Sequence, residues 1–184
     1  MRYFISDTHF FHRNILRLNS LKRKPGFEEI VVENLKRTLK EDDVLYHLGD
    51  FIWKLEKDFL EVWRSIPGRK ILVKGNHDYR FKNEELRPFF DEIYEFYTVV
   101  EIKGKNVLLS HFPAFDLRTY RYKEIQAKIW KLYRDLKCSL LLHGHVHWNP
   151  SGVFCGCHLR GVKCRNVNVE FTGYMPVSEE ELSL

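Results

Sequence analysis

Five times along the chain, an apolar run ends in an aspartate, asparagine or histidine. Tyr3-Phe4-Ile5-Ser6 leads into Asp7-Thr8-His9, Val44 to Leu48 into Gly49-Asp50, and Ile71 to Lys74 into Gly75-Asn76-His77-Asp78. Val107 to Ser110 leads into His111, and Leu140 to His143 into Gly144-His145-Val146-His147. Carboxylate, imidazole and amide oxygen together make a mixed nitrogen and oxygen donor set, which suits borderline to hard divalent ions such as Mn, Fe or Zn. Asp50 has two oxygens with which to bridge a pair of ions. Asp7 and His9, like His145 and His147, are spaced by two, which places both side chains on one side of an extended segment. One such ending is an ordinary turn; five that carry only metal-ligating residue types are not.

The elements that must position these side chains are short and apolar. Arg2–Ser6, Val44–Leu48, Lys70–Lys74, Val107–Ser110 and Leu140–His143 read as buried strands. In open α/β sheets a ligand site lies off the carboxyl ends of the strands, so these endings are expected to meet at one edge. Gly49, Gly75 and Gly144 are expected to let the backbone turn where a side chain is presented. Helical spacing covers Phe27–Lys40, Glu56–Ile66 (stopped by Pro67-Gly68) and Arg121–Leu136. Ile93–Ile102 alternates like one strand, and Lys103-Gly104-Lys105-Asn106 reads as a tight turn. From about Ser151 onward the pattern is β-rich, with strand-like pieces at Gly161–Lys163 and Asn166–Phe171. The expected fold is α/β, two packed sheets with helices outside, in a single domain over residues 1–184.

The ordered blocks Asp7-x-His9, Gly49-Asp50, Gly75-Asn76-His77-Asp78, His111 and Gly144-His145-x-His147 resemble those of the calcineurin-like metallophosphoesterases. They span most of the chain; each block is weak alone, and the ordered set is specific. The Asp7-Thr8-His9-Phe10-Phe11-His12 opening is similar to a small microbial and phage branch of that family. The resemblance implies a four-layer αββα sandwich and two divalent metal ions as cofactors. It implies that Asp7, His9 and His147 hold one ion, that Asn76, His111 and His145 hold the other, and that Asp50 bridges them. The expected activity is hydrolysis of a phosphodiester or phosphomonoester by in-line attack of a metal-bridging hydroxide, with His77 as proton donor to the leaving group. Only Asp7 and Asp50 are anionic, so two dications would leave the cluster net positive and attractive to phosphate. The sequence departs from the family where relatives orient this histidine with an aspartate three residues after the bridging one: here that residue is Trp53, and the next is Lys54 rather than arginine. The departure argues against a Ser/Thr protein phosphatase and leaves Asp78 or a backbone carbonyl to orient His77. A nuclease of the same chemistry and a non-catalytic scaffold of the same fold are the competing readings; retention of every ligand and of His77 counts against the scaffold.

His12 follows the first ligands and is read as a substrate-binding residue or a structural loop histidine. His47 and His143 read as core histidines, His158 as a surface or strand residue, and Asn14 as a cap for the turn after it. Arg118-Thr119-Tyr120-Arg121-Tyr122-Lys123 interleaves basic and aromatic side chains, a mix that stacks bases and binds phosphates, or else begins a solvated helix. Trp148 either walls a pocket or packs. The formal charge of +5 over 184 residues favours anionic partners such as nucleotides or nucleic acid, without being diagnostic. The single glutamine, Gln126, among many charged residues is a composition met in thermophile proteins. No apolar run is long enough to cross a bilayer and no leader is evident, so a cytoplasmic protein without membrane partners is expected. Cys138, Cys155, Cys157 and Cys164 are then expected as reduced thiols. Three of them lie near His158, but Cys155-Gly156-Cys157-His158 is tighter than the usual zinc-finger spacing; a small zinc site or a disulfide is the alternative.

Overall fold

A computed structural model of the chain describes residues 1–118, 120–152 and 154–184. The strands are β1 (Arg2–Ile5), β2 (Val44–His47), β3 (Arg69–Val73), β4 (Glu92–Tyr94), β5 (Tyr97–Ile102), β6 (Lys105–Ser110), β7 (Leu140–His143), β8 (Cys164–Asn166) and β9 (Val177–Ser178). The α-helices are α1 (Ile15–Leu18), α2 (Phe27–Thr38), α3 (Lys57–Arg64), α4 (Asn83–Leu86), α5 (Lys123–Asp135) and α6 (Val169–Thr172). One sheet has the order β4-β3-β2-β1-β9, parallel from β4 to β1 with β9 antiparallel at the edge. The other has the order β5-β6-β7-β8, in which β6, β7 and β8 are parallel and β5 is antiparallel.

Side-chain alternation along the strands sorts the core into layers. Phe4 and Val73 of the first sheet meet Val107, Leu109, Leu140 and Leu142 of the second in the inner core. Their chain neighbours Ile5 and Leu72 pack outward under α2 and α3 with Val31, Leu35, Phe59 and Trp63. On the far side, Leu108 and Leu141 pack outward with Ile129 of α5. The result is the expected αββα sandwich. Trp63 is fully buried and its indole N–H donates to the Phe89 carbonyl at 2.8 Å; truncating such a side chain costs about 3–5 kcal/mol. Among the described residues no helix is long and apolar enough to cross a membrane.

The five strands before the polar endings form within two residues of their expected ends. Three other expectations are corrected. Ile93–Ile102 is not one strand: β4 pairs with β3 and β5 pairs with β6, so the chain breaks at Glu95-Phe96 to pass between sheets. Asn166–Phe171 is not a strand either. β8 stops at Asn166, and the Asn168 side chain accepts the Glu170 N–H at 2.9 Å, which starts α6. Gly161–Lys163 is not a strand: Gly161 ends the 3-10 helix Cys157–Arg160 at φ 66°, and β8 begins only at Cys164. The turn between β5 and β6 is as expected, with Lys103 and Gly104 both at positive φ, 50° and 71°. Asn14 stands at the start of α1, but its side chain makes no capping bond.

Candidate metal centre

The polar endings of β1, β2 and β3 meet those of β6 and β7, so two facing sheet edges, rather than one, supply the site. Backbone bonds lock the loops together: Asp7 N–H donates to Gly49 O (2.9 Å), His9 N–H to Asp50 O (3.0 Å) and Gly144 N–H to His111 O (3.0 Å). Asp7, His9, Asp50 and His145 all hold left-handed backbone, with φ of 56°, 48°, 55° and 63°. The paired ligands therefore do not lie on extended segments as their spacing suggested. Each such residue costs about 1–2 kcal/mol, a strain that clusters where side chains must be aimed. Gly49, at φ 83°, turns as expected. Gly75 and Gly144 serve another purpose, close approach. A Cβ on Gly75 would lie 2.4 Å from Asp50 Oδ1, and one on Gly144 would lie 2.2 Å from Asp7 Oδ2.

The donors converge. Asp50 Oδ2 lies 3.5 Å from His9 Nε2 and 3.4 Å from His111 Nε2. Asp7 Oδ1 lies 3.9 Å from His9 Nε2 and 3.6 Å from His147 Nε2. Asn76 Oδ1 lies 3.1 Å from His111 Nε2 and 3.0 Å from His145 Nδ1. Two groups, Asp7-His9-His147 and Asp7-Asp50-His111, each bring their ligand atoms within 4.8 Å of one another. Two of the imidazoles are aimed from behind. His111 Nδ1–H donates to the Leu48 carbonyl (2.8 Å) and His147 Nδ1–H to Glu170 Oε1 (2.8 Å), so both rings turn Nε2 toward the carboxylates. His9 Nε2 is buried with no hydrogen-bond partner. An orphaned nitrogen among two carboxylates, an amide oxygen and further imidazoles fits divalent cations of the kind this donor set prefers.

The electrostatics agree. Burial works to raise the Asp50 pKa, but His111, His9 and His77 hold it well below the usual carboxylate range. Burial raises that of Asp7, against His111 and His147. His9 and His145 are pushed down by burial. His111 goes the other way: burial lowers it, yet Asp50 outweighs that and the pKa is pushed up to about 9. His147 is likewise raised, burial being outweighed by Glu170 and Asp7.

Three supporting residues escaped the sequence reading or were assigned differently. Asp78 does not orient the His77 ring. Its buried carboxylate accepts the backbone N–H groups of Asp50 (2.7 Å), Gly75 (2.8 Å) and Phe51 (3.0 Å), tying the β2 and β3 loops together. Burial, then the Asp50 charge, pushes its pKa up to about 7. Glu170, which braces His147, is itself held by Arg23 Nε at 2.8 Å. Arg23 is 1% exposed and also donates to the Asp7 and Thr8 carbonyls. Nothing local marks these two, 147 residues apart in the chain.

His77 stands at the rim, its side chain 35% exposed and its Nε2 3.9 Å from Asp50 Oδ2. Its backbone N–H donates to Asp50 Oδ1 at 2.9 Å. Trp53 stacks flat on His12, centroids 4.0 Å apart, with the Arg80 guanidinium 3.6 Å from its ring centre. His12 lies beside the ligands, its centroid 5.4 Å from that of His9. Burial, then His77, pushes the His12 pKa down to about 4, and its Nδ1 has no partner. His47 is a core histidine as expected. Thr8 Oγ1 donates to Phe51 O (2.7 Å), so the hydroxyl accepts from His47 Nε2–H (2.9 Å), and burial pushes the ring's pKa down to about 3. His158 is exposed. In the basic-aromatic stretch, Arg118 donates to the His147 carbonyl (3.0 Å) and the Tyr122 ring meets His145 edge-on at 5.2 Å. Tyr120 is 97% exposed, and Thr119 lies outside the described residues. Trp148 N–H donates to Glu170 Oε2 at 3.0 Å, and Lys22 Nζ lies 5.1 Å from the Trp148 ring centre.

The sequence model of the calcineurin-like phosphoesterases matches residues 3–149. A protein of unknown function from Aquifex aeolicus, known as a crystal structure, is 50% identical, with a TM-score of 0.93 over 98% of this chain and 96% of that one. An uncharacterized protein of Methanocaldococcus jannaschii is 26% identical over 180 residues, 96% of this chain and 85% of that protein. The gene 66 protein of Mycobacterium phage D29 is 29% identical over 160 residues, 79% of this chain and 77% of that protein.

Proposed function

Because this chain belongs to the calcineurin-like phosphoesterase family, we propose that it is a dinuclear-metal-dependent phosphoesterase that hydrolyses phosphodiester or phosphomonoester bonds. The observation that carries this is the meeting of donors from five strand ends around Asp7 and Asp50, with His9 Nε2 left unpartnered among them. Asp7, His9 and His147 would hold one ion, Asn76, His111 and His145 the other, with Asp50 shared; Mn, Fe and Zn all suit such ligands. When bound, the ions would supply positive charge that makes water more acidic and offsets charge on the phosphoryl oxygens.

The chain's own residues do the rest. His77 hands a proton to the leaving oxygen, from a ring exposed enough to touch substrate and a backbone tied to Asp50. No carboxylate lies at position 53; the aromatic wall of Trp53, backed by Arg80, bounds the space around His77 instead. His12, neutral near pH 7 and beside His77, hydrogen-bonds the substrate through Nε2, since its Nδ1 is buried. The water oxygen enters opposite the leaving group, and no covalent phosphoenzyme forms. The test is hydrolysis of chromogenic phosphate diesters and monoesters by metal-free protein supplied with Mn, Fe or Zn. Metal-dependent turnover is the expected result; inactivity toward both ester classes with metal bound overturns the reading.

A second reading, a nuclease, is favoured by one feature. Arg118 and Tyr122 flank the site, and Tyr120, between them in the chain, is almost fully exposed. Such a surface offers stacking and phosphate contacts to a strand running past the metals. A steep fall in oligonucleotide binding with added salt supports it, and salt-independent binding does not.

A further inference from the structure

On the other side of β7, a second set of ligand atoms comes together. His143, Cys155, Cys157 and Cys164 bring one imidazole nitrogen and three sulfurs within 4.8 Å of one another. The sequence drew attention to these cysteines beside His158, but His158 is exposed and the imidazole among them is that of His143. Strand geometry explains why. Leu141 and His143 alternate with the inward-facing Leu140 and Leu142, so both point toward the α5 side. Leu141 pairs with Cys164 in β8, which places that sulfur on the same face, next to His143. Cys155 and Cys157 approach from a segment bridged to Asp116. Gly156 between them leaves no room for a side chain: an added Cβ would lie 2.8 Å from both Phe115 Cδ1 and Leu117 Cγ.

The His143 ring is prepared as a ligand. Its Nδ1–H donates to the Gly144 carbonyl at 2.8 Å, which fixes the tautomer and leaves the Nε2 lone pair free. That Nε2 is fully buried and has no hydrogen-bond partner. All four cysteines are free, and Cys155 Sγ lies 3.3 Å from Cys164 Sγ. A tetrahedral zinc ion with sulfurs at about 2.3 Å requires ligand atoms roughly 3.8 Å apart, a spacing this cluster reaches with small side-chain adjustments. Three soft thiolates with one imidazole are a zinc ligand set, chemically unlike the sulfur-free nitrogen and oxygen cluster at the strand ends.

We propose that His143, Cys155, Cys157 and Cys164 form a closed, structural zinc site. It joins β7, β8 and the 155–157 segment at one point. In doing so it clamps both ends of the loop that leaves β7 carrying His145 and His147.

The test is titration of the full-length, reduced, metal-stripped protein with cobalt(II) alone. Sulfur-to-cobalt charge-transfer absorption, together with the visible bands of a tetrahedral ion, is expected to reach a plateau that matches one thiolate-bound ion per chain and to vanish on adding zinc. The nitrogen and oxygen ligands at the strand ends contribute nothing to the sulfur band. Cys155→Ser and Cys164→Ser should weaken that band, and His143→Gln should shift the visible bands and weaken zinc binding by more than about tenfold. The wild-type readings decide the matter even where a variant fails to fold. Wild-type protein that gives no sulfur-to-cobalt absorption overturns the proposal. So does a mass spectrum of protein alkylated at lysis showing Cys155 and Cys164 joined as a disulfide with no metal present.

Discussion

His143 and His145 are two residues apart on one strand end, yet they belong to different chemistries. His143 keeps the strand's alternation and turns to the α5 side, among three sulfurs, with no route to substrate. His145, at φ 63° after Gly144, breaks the alternation and turns to the sheet edge, among an amide oxygen and further imidazoles. The cysteine cluster is neutral until its thiols ionise and is suited to one tightly held ion. The strand-end cluster carries Asp7 and Asp50, reaches solvent beside His77, and is suited to ions that also meet a substrate. The comparison teaches that one residue in left-handed backbone, following a glycine that lets the Asp7 carboxylate come close, is enough to send two histidines of one strand end into different donor clusters.

The sharpest way to break this contrast is Asp50→Ala. Turnover should fall by ~10³-fold or more, the several kcal/mol that metal ions supply converted at 1.36 kcal/mol per decade, while the sulfur-to-cobalt band is unchanged. Loss of that band in the same variant would merge the two regions into one unit. His77→Gln should lower kcat by about 10²-fold without loss of bound metal; metal content measured by elemental analysis separates this proton-donor role from ligation. Glu170→Gln, which weakens the brace on His147, should cost about 10–100-fold in metal affinity at the strand ends, read by calorimetric titration.

Acidity gives a further handle. With His111 pushed up to about 9 by Asp50 against the effect of burial, a cation must displace a proton at any lower pH. Affinity at the strand ends should weaken by about tenfold per unit as pH falls below 9. The same raised pKa stabilises the metal-free fold fully below the unfolded value of about 6.5, and this contribution is lost as pH rises through 9. Thermal melts of stripped protein across that window should show it. The smallest effect is expected for His12→Phe, which keeps the stack on Trp53 but removes one hydrogen bond to substrate. KM should rise about 2- to 10-fold with kcat little changed.

Much of the strand-end cluster was legible in the chain because each ligand follows directly on a buried apolar run. A strand leaves a regular mark in sequence, and its carboxyl end is a place. The residues that steady the ligands left no such mark. Arg23 sits in a basic run and Glu170 between Val169 and Phe171, and only the fold reveals that the two are buried against each other. The same limit applies to the cysteines. Their crowding drew attention, but the nearest histidine in sequence, His158, is not the nearest in space.

The chain alone determined the donor types, their order, the strands that carry them and the layered architecture, because these follow from short-range periodicity and residue chemistry. Tertiary structure decided which face each histidine takes, which carboxylate braces which ring, and that β4 and β5 part company between sheets. Those outcomes depend on left-handed backbone at single residues and on contacts more than a hundred residues apart, as between Arg23 and Glu170. No local window of sequence contains that information, since burial and partnership are properties of the packed whole.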